Sequence, residues 1–280
     1  MNEQQIEVHP LTGALGAEIQ GVDLAEPLGN QTFQEIHDAL MAHQVIFFRD
    51  QDITPDQHIA FARSFGELHV HPYAPQLEGY PEVLVLENDE TRPPRINAWH
   101  TDVTFEERPP MGSILHGKVI PEHGGDTLWA NTYMAYEALS DRLQHFLDGM
   151  TAVHDYARPF FGVGVPEREV DWDRFAAARK TRPPMEHPVV RTHPVTGRKS
   201  LFVNSVFTSH LKDVRQKESE ALLRLLYEHL QSPDFQCRFR WRENSIAFWD
   251  NRCTQHFAAA DYFPQARLMQ RVTVVGERPV

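Results

Sequence analysis

Nine short runs rich in β-branched and aromatic residues, separated by turn-forming residues, restrict this chain to mainly β architectures. They are Gln44–Arg49, Glu82–Leu86, Ser113–Ile120, Thr127–Ala130, Pro188–Thr192, Ser200–Asn204, Phe235–Trp241, Ile246–Trp249 and Val272–Val275. With no internal repeat and no low-complexity stretch, such runs predict a β-sandwich or barrel-like core rather than a solenoid. Helical signals are fewer. Thr54-Pro55-Asp56-Gln57 combines an N-cap, a proline at the first helical position and a capping-box glutamine, with Gly66 as the expected stop. Phe33–His43 and Glu218–Leu230 carry apolar residues at helical spacing, and Tyr133–Leu147 does so more weakly. The expectation is a β core flanked by helices, one domain over residues 1–280, with a lid or insert near residues 158–184.

Composition then limits the chemistry. The net charge of −12 repels phosphate backbones, and no basic cluster offsets it, so nucleic acid is not an expected partner. No apolar run is long enough to span a membrane, and the N-terminal residues lack the pattern of a secretory signal, which makes the cytoplasm the expected location. Two cysteines, Cys237 and Cys253, are too few for a disulfide framework or a thiolate-rich metal site. Any metal must be held by nitrogen and oxygen, and the chain has 16 histidines.

The sharpest local motif is Trp99-His100-Thr101-Asp102. On extended backbone, His100 and Asp102 point to the same side, because strand side chains alternate with period two. One imidazole and one carboxylate suit non-haem Fe(II), Zn or Mn, and a distant second histidine would complete a three-ligand face. The C-terminal stretch offers one: Trp249-Asp250-Asn251-Arg252-Cys253-Thr254-Gln255-His256, followed by Arg267 and Arg271. Arginine suits bidentate capture of a carboxylate or sulfonate-like anion, so this pattern pairs a metal with anionic ligands.

WHTDVTF at Trp99–Phe105, GGDTLWAN at Gly124–Asn131, HPVVRTHPVTGRKSLFVN at His187–Asn204 and the stretch Trp249–Pro279 resemble the taurine dioxygenase group of Fe(II)/2-oxoglutarate-dependent oxygenases. The resemblance also covers LTGALGAEIQGVDL and HQVIFFRDQDITPDQ, and so nearly the whole chain. It implies a double-stranded β-helix, or jelly roll, with Fe(II) held by His100, Asp102 and His256. The 153 residues from Val103 to Gln255 must then fold back on themselves. It further implies that Thr127 and Arg267 hold the distal carboxylate of 2-oxoglutarate. Arg271 would lie near the iron and the cofactor and bind the anionic head of the substrate. O2 is the third reactant, and succinate and CO2 leave as the substrate carbon is hydroxylated. If that carbon bears a sulfonate, the product collapses to an aldehyde and sulfite. The same resemblance suggests a homodimer or homotetramer.

By that resemblance, His71, Val103, Phe160, Phe207 and Arg271 line the pocket of a small anionic substrate, taurine or a related alkanesulfonate. Taurine enzymes carry an asparagine where this chain has Ile96, with Asn97 one place on, and a tyrosine where it has Ala74, with Tyr73 beside it. Asn97 and Tyr73 are the remaining candidates for the amine end. An unmatched polar group lowers affinity by about 1–3 kcal/mol, so an alkyl sulfate ester or aryloxyalkanoate is the alternative substrate. Two other classes compete: a zinc hydrolase using the same donors, and a non-catalytic jelly-roll binding module. His69 is intermediate, because it shares a strand-like stretch with His71; histidines such as His58, His154, His187 and His193 read as structural or surface residues, and Trp129, Trp241 and Trp249 as core.

Overall fold

The computed structural model describes residues 5–71, 75–94, 97–158 and 172–280. Its largest sheet has eight strands, in the order Glu7–Pro10, Ala17–Gln20, Val45–Phe48, Ile246–Asp250, Gly112–Val119, Arg267–Val274, Tyr80–Asn88 and Gln76–Leu77. All neighbours run antiparallel except Ala17–Gln20 beside Val45–Phe48. A three-stranded sheet of Gln236–Phe239, Thr127–Asn131 and Thr254–Ala258 covers one face.

Period-two alternation explains why the large sheet has two buried faces. Val45, Phe47, Leu115, Ala247, Trp249 and Met269 point between the sheets, where they meet Trp129, Cys237 and Phe239. Phe47 stacks on Phe239 with ring centres 4.1 Å apart. The alternate residues, Ile46, Phe48, Ile114, Ile246, Phe248 and Val272, pack on Ile36 and Leu40 of helix Asn30–His43 and on Ile59 and Phe61 of helix Pro55–Arg63. The result is the jelly roll with flanking helices. A further apolar cluster joins helix Gln216–Leu230, through Leu223, Leu226 and Leu230, to Ala152, Val189, Leu201 and Leu211.

Several boundaries differ from the sequence pattern for identifiable reasons. The run Pro188–Thr192 divides between strands Met185–Pro188 and Val190–Thr192, which belong to different sheets, with Val189 buried at the crossing. Tyr133–Leu147 is two helices, Thr132–Glu137 and Asp141–Leu147, because Ser140 caps the second by accepting from the Leu143 N–H. The final strand starts at Arg267, five residues before the apolar signal, and strand Thr254–Ala258 gives no apolar signal at all. Part of the expected lid near residues 158–184 lies outside the described residues; within it, helix Trp172–Thr181 is described.

The capping box at Thr54 forms as expected: Gln57 N–H donates to the Thr54 hydroxyl at 3.3 Å and Thr54 N–H to the Gln57 amide oxygen at 2.8 Å. Thr54→Ala is expected to lower unfolding free energy by about 1 kcal/mol in urea titrations. Burial holds the imidazoles of His58, His116 and His187 down to about 3, about 4 and about 4, from an ordinary value of 6.5. In the unfolded chain these groups take up protons first, so their contribution is complete above about pH 6.5 and shrinks as the pH falls toward about 4. The urea midpoint is expected to drop across that window; a flat midpoint would contradict it.

Candidate active site

The site lies between the two sheets, at the end where the segment after Trp99 meets strand Thr254–Ala258. His100 and His256 form a β-bridge, with His100 N–H donating to the His256 carbonyl at 3.0 Å and His256 N–H to the His100 carbonyl at 2.8 Å. Residues paired directly opposite share a face, and the two imidazole centres are 4.2 Å apart. The Asp102 carboxylate joins them: its Oδ1 is 3.9 Å from Nε2 of each histidine. The three donor atoms lie within 4.8 Å of one another, and all three residues are buried.

Hydrogen bonds settle which atoms face the common point. His100 Nδ1 donates to the Ala98 carbonyl at 2.9 Å, which leaves the Nε2 lone pair facing Asp102. Ser113 Oγ donates to Asp102 Oδ2 at 2.9 Å and itself accepts from Asn251 Nδ2 at 3.0 Å. Asn251 Oδ1 in turn accepts from Trp249 Nε1 at 3.0 Å, so a relay from Trp249 fixes one carboxylate oxygen and turns the other toward the histidines. Burial and the neighbouring His100 lower the His256 imidazole to about 3, and burial lowers His100 as well. Burial alone would raise the Asp102 carboxyl, but Arg271 and then the two histidines hold it well below the usual carboxylate range. Two neutral imidazoles and one carboxylate are therefore ready at neutral pH, and this donor set fits a divalent iron with open positions.

The arginines occupy the same side of the last strand. Arg271 Nη1 donates to Asp102 Oδ1 at 2.7 Å, while its buried Nε has no partner among the described residues. Arg267 is 6% exposed, its Nε also lacks a partner, and no carboxylate pairs with it among the described residues. The Tyr262 ring, 5.7 Å from its guanidinium carbon, and the Asp126 charge offset its burial only in part, so a buried guanidinium without an ion-pair partner fits an anionic cosubstrate. Gly125 (φ +70°) supplies the close approach: a Cβ there would lie 3.3 Å from Arg267 Nε. Two residues on, the Thr127 hydroxyl accepts from Trp241 Nε1 at 3.0 Å, which leaves its own proton to donate.

The residues expected on the substrate side are placed as follows. Leu68 bridges Val274 and His69 N–H donates to the Thr273 carbonyl at 2.9 Å, which brings the segment ending at His71 beside the last strand, within electrostatic reach of Arg271. Burial, then Arg271, lowers the His71 imidazole to about 4. Val103 is buried at φ +53°, a strained conformation for a β-branched residue, immediately after Asp102. The Phe207 ring is 6.4 Å from His100 and 5.1 Å from Phe105. Asn97 is exposed. Tyr73 and Phe160, with Ala74 and Ile96, lie outside the described residues.

A second cluster, His193, Asp250 and Cys253, also brings donor atoms together. Its groups are already committed. His193 Nε2 meets Asp250 Oδ2 at 3.0 Å, His193 Nδ1 accepts from the Val195 and Thr196 N–H groups, and Arg252 grips both Asp250 oxygens. It is a satisfied ion-pair network beneath the hairpin that presents His256. Ser113 and Trp249 were not singled out by the sequence as site residues; Ser113 simply opens an apolar run, and Trp249 reads as core. Asn251 sits inside the quoted WDNR stretch but carries no signal of its own.

The family model "Taurine catabolism dioxygenase TauD, TfdA family" matches residues 7–273. An alkylsulfatase of Acinetobacter baylyi is 41% identical over 98% of this chain and 86% of its own length. An alpha-ketoglutarate-dependent sulfate ester dioxygenase of Pseudomonas putida is 40% identical over 99% of this chain and 91% of its own. The crystal structure of a taurine dioxygenase from Burkholderia xenovorans superimposes with a TM-score of 0.84 at 41% identity, covering 98% of this chain and 91% of that one. No helix among the described residues is long and apolar enough to cross a membrane. The chain belongs to the TauD, TfdA family and is a dioxygenase that depends on Fe(II), 2-oxoglutarate and O2.

Proposed function

We propose that this enzyme hydroxylates the carbon attached to the ester oxygen of an alkyl sulfate, with alkanesulfonates as the related, poorer class and taurine disfavoured. What supports this reading is that, beside His71 and Arg271 read as the anion end, no group among the described residues is placed to receive an ammonium. Phe105 and Phe207 are apolar, Asn97 is exposed, and the nearby carboxylate, Glu106, is taken by Arg182 at 2.6 Å and His69 at 3.2 Å. Ile96 and Ala74, where taurine enzymes place polar residues, support the same choice. So do the names of two relatives, the alkylsulfatase and the sulfate ester dioxygenase.

In this reading His100, Asp102 and His256 hold the iron, and Ser113 keeps Asp102 to a single coordinating oxygen. Thr127 and Arg267 hold the distal carboxylate of 2-oxoglutarate. Bound Fe(II), with 2-oxoglutarate and O2, supplies the oxidation that converts one C–H bond to C–OH as succinate and CO2 leave. His71 and Arg271 fix the sulfate so that the carbon beside it is the one presented to the iron, and the aromatic wall and Val103 exclude water around the alkyl chain. The hydroxylated carbon then bears both OH and O-sulfate. Its hydroxyl loses a proton, a C=O bond forms, the bond from carbon to the ester oxygen breaks, and an aldehyde and inorganic sulfate result. From a sulfonate the carbon–sulfur bond breaks instead, and sulfite leaves.

Succinate, sulfate and sulfite are the products to measure with hexyl sulfate, pentanesulfonate and taurine. Sulfate matching succinate from hexyl sulfate, at a kcat/KM above that of the sulfonates, is expected; faster sulfite release from taurine would overturn the choice of ester. Arg267→Gln is expected to weaken 2-oxoglutarate by about 1.5–3 kcal/mol, the worth of a hydrogen-bonded charged pair. Anaerobic titration of the Fe(II)–2-oxoglutarate visible band reads this directly, and an unchanged affinity would remove Arg267 from that role.

A further inference from the structure

One group of charged residues beside the pocket has no part in holding iron, 2-oxoglutarate or sulfate. Glu106 ends the turn that follows Asp102. One of its oxygens accepts from Arg182 Nη1 at 2.6 Å and the other lies 3.2 Å from His69 Nε2, with these side chains 14–23% exposed. His187 Nε2 donates to the Glu106 carbonyl at 2.9 Å, which fixes the backbone of the turn. Burial pushes the Glu106 carboxyl up, but the bonds from His69 and Arg182 hold it below its ordinary value.

Each partner belongs to a different wall of the pocket. His69 lies two residues before His71, their ring centres 6.0 Å apart. Arg182 directly follows helix Trp172–Thr181, and its guanidinium carbon is 5.6 Å and 5.7 Å from the ring centres of Phe105 and Tyr156. One turn earlier, Arg179 Nη2 lies 2.7 Å from Oδ2 of the buried Asp155, whose N–H donates to the Phe207 carbonyl at 2.8 Å. The helix is thus fastened at two points, and each carboxylate adjoins an aromatic residue in sequence: Glu106 follows Phe105, and Asp155 precedes Tyr156. The part-buried Glu106–Arg182 pair is screened less than a surface pair, whereas in the other pair an exposed Arg179 meets a buried carboxylate.

We propose that Glu106 is a positioning residue for the substrate: through Arg182, and beside the Arg179–Asp155 pair, it clamps helix Trp172–Thr181 to the aromatic wall while orienting the His69–His71 segment. It has a second effect through charge. Arg182 and Glu106 both act on His71, in opposite directions. With Glu106 neutralised, the Arg182 guanidinium attracts the substrate anion away from Arg271, so the reactive carbon sits off the iron while 2-oxoglutarate is still consumed. This inference rests on the reading of His71 and Arg271 as the anion site.

The test uses full-length Glu106→Gln, Arg182→Gln and the double variant, with Fe(II) and 2-oxoglutarate present. Hydrogen exchange of amides in helix Trp172–Thr181 and around His69 is expected to quicken about fivefold in each single variant, the worth of one ion pair, with strand Gly112–Val119 unchanged. With hexyl sulfate, Glu106→Gln is expected to raise KM about fivefold with kcat within about twofold and to lower the sulfate-to-succinate ratio. Removing Arg182 as well is expected to restore that ratio, because the competing cation is gone; a role confined to folding would make the double variant worse. Unchanged exchange in both single variants overturns the clamp, and a double variant less coupled than Glu106→Gln overturns the charge competition. If the wild-type enzyme releases no sulfate from hexyl sulfate, the functional reading fails, and exchange alone decides the clamp.

Discussion

A buried carboxylate is the group on which this architecture turns. Asp102 is 4% exposed, and an isolated charge there would cost several kcal/mol. It stays ionised because Ser113, from the start of a central strand, and Arg271, from the last strand, donate to its two carboxylate oxygens, while its backbone N–H donates to Asn251 Oδ1 at 3.4 Å and the imidazoles of His100 and His256 lie 3.9 Å away. Both carboxylate donors sit on strands of the large sheet, Arg271 169 residues along the chain, so the charge is tolerable only in the closed sandwich. The jelly roll supplies that closure by placing strands distant in sequence side by side. Packing between the sheets and the electrostatics of the site are in this sense one constraint.

The contrast with His193, Asp250 and Cys253 shows what separates an open donor set from a closed one. Both clusters bring a histidine and a carboxylate together out of water. In the second, Arg252 covers both carboxylate oxygens and backbone N–H groups fill the remaining imidazole nitrogen. In the first, Ser113 and Arg271 each donate to one carboxylate oxygen and Ala98 takes one nitrogen of His100, and the Nε2 atoms of both histidines are left facing Asp102 Oδ1. Chemistry depends on the capacity left over after hydrogen bonding.

Legibility in the sequence followed the burial of each element. Strands with two apolar faces, such as Val45–Phe48 and Ile246–Asp250, announced themselves, because every residue is buried against one layer or the other. Strand Thr254–Ala258 did not, since a strand that carries a ligand and lines a polar site has few β-branched residues to show. Arg267 and Gln270 hid the first half of the last strand for the same reason. The resemblance located the histidines, the aspartate and the arginines that the structure gathers; period two alone justified pairing His100 with Asp102. What stayed illegible was the support: nothing in the spacing of Ser113, Asn251 and Trp249, or of Glu106 and Arg182, reveals a contact made only by folding.

The bridge between His100 and His256 also orders events in time. A chain made from its N-terminus displays the first two donors first, but the third follows only after 153 further residues, and it becomes a neighbour only when strand Thr254–Ala258 docks beside Thr127–Asn131. Contacts between segments this far apart in sequence carry a large loop-closure entropy and form late. The complete triad is therefore absent from partly made or partly folded chains. A three-ligand site for iron exists only once strand Thr254–Ala258 has docked, so holding the metal is coupled to closing the sandwich.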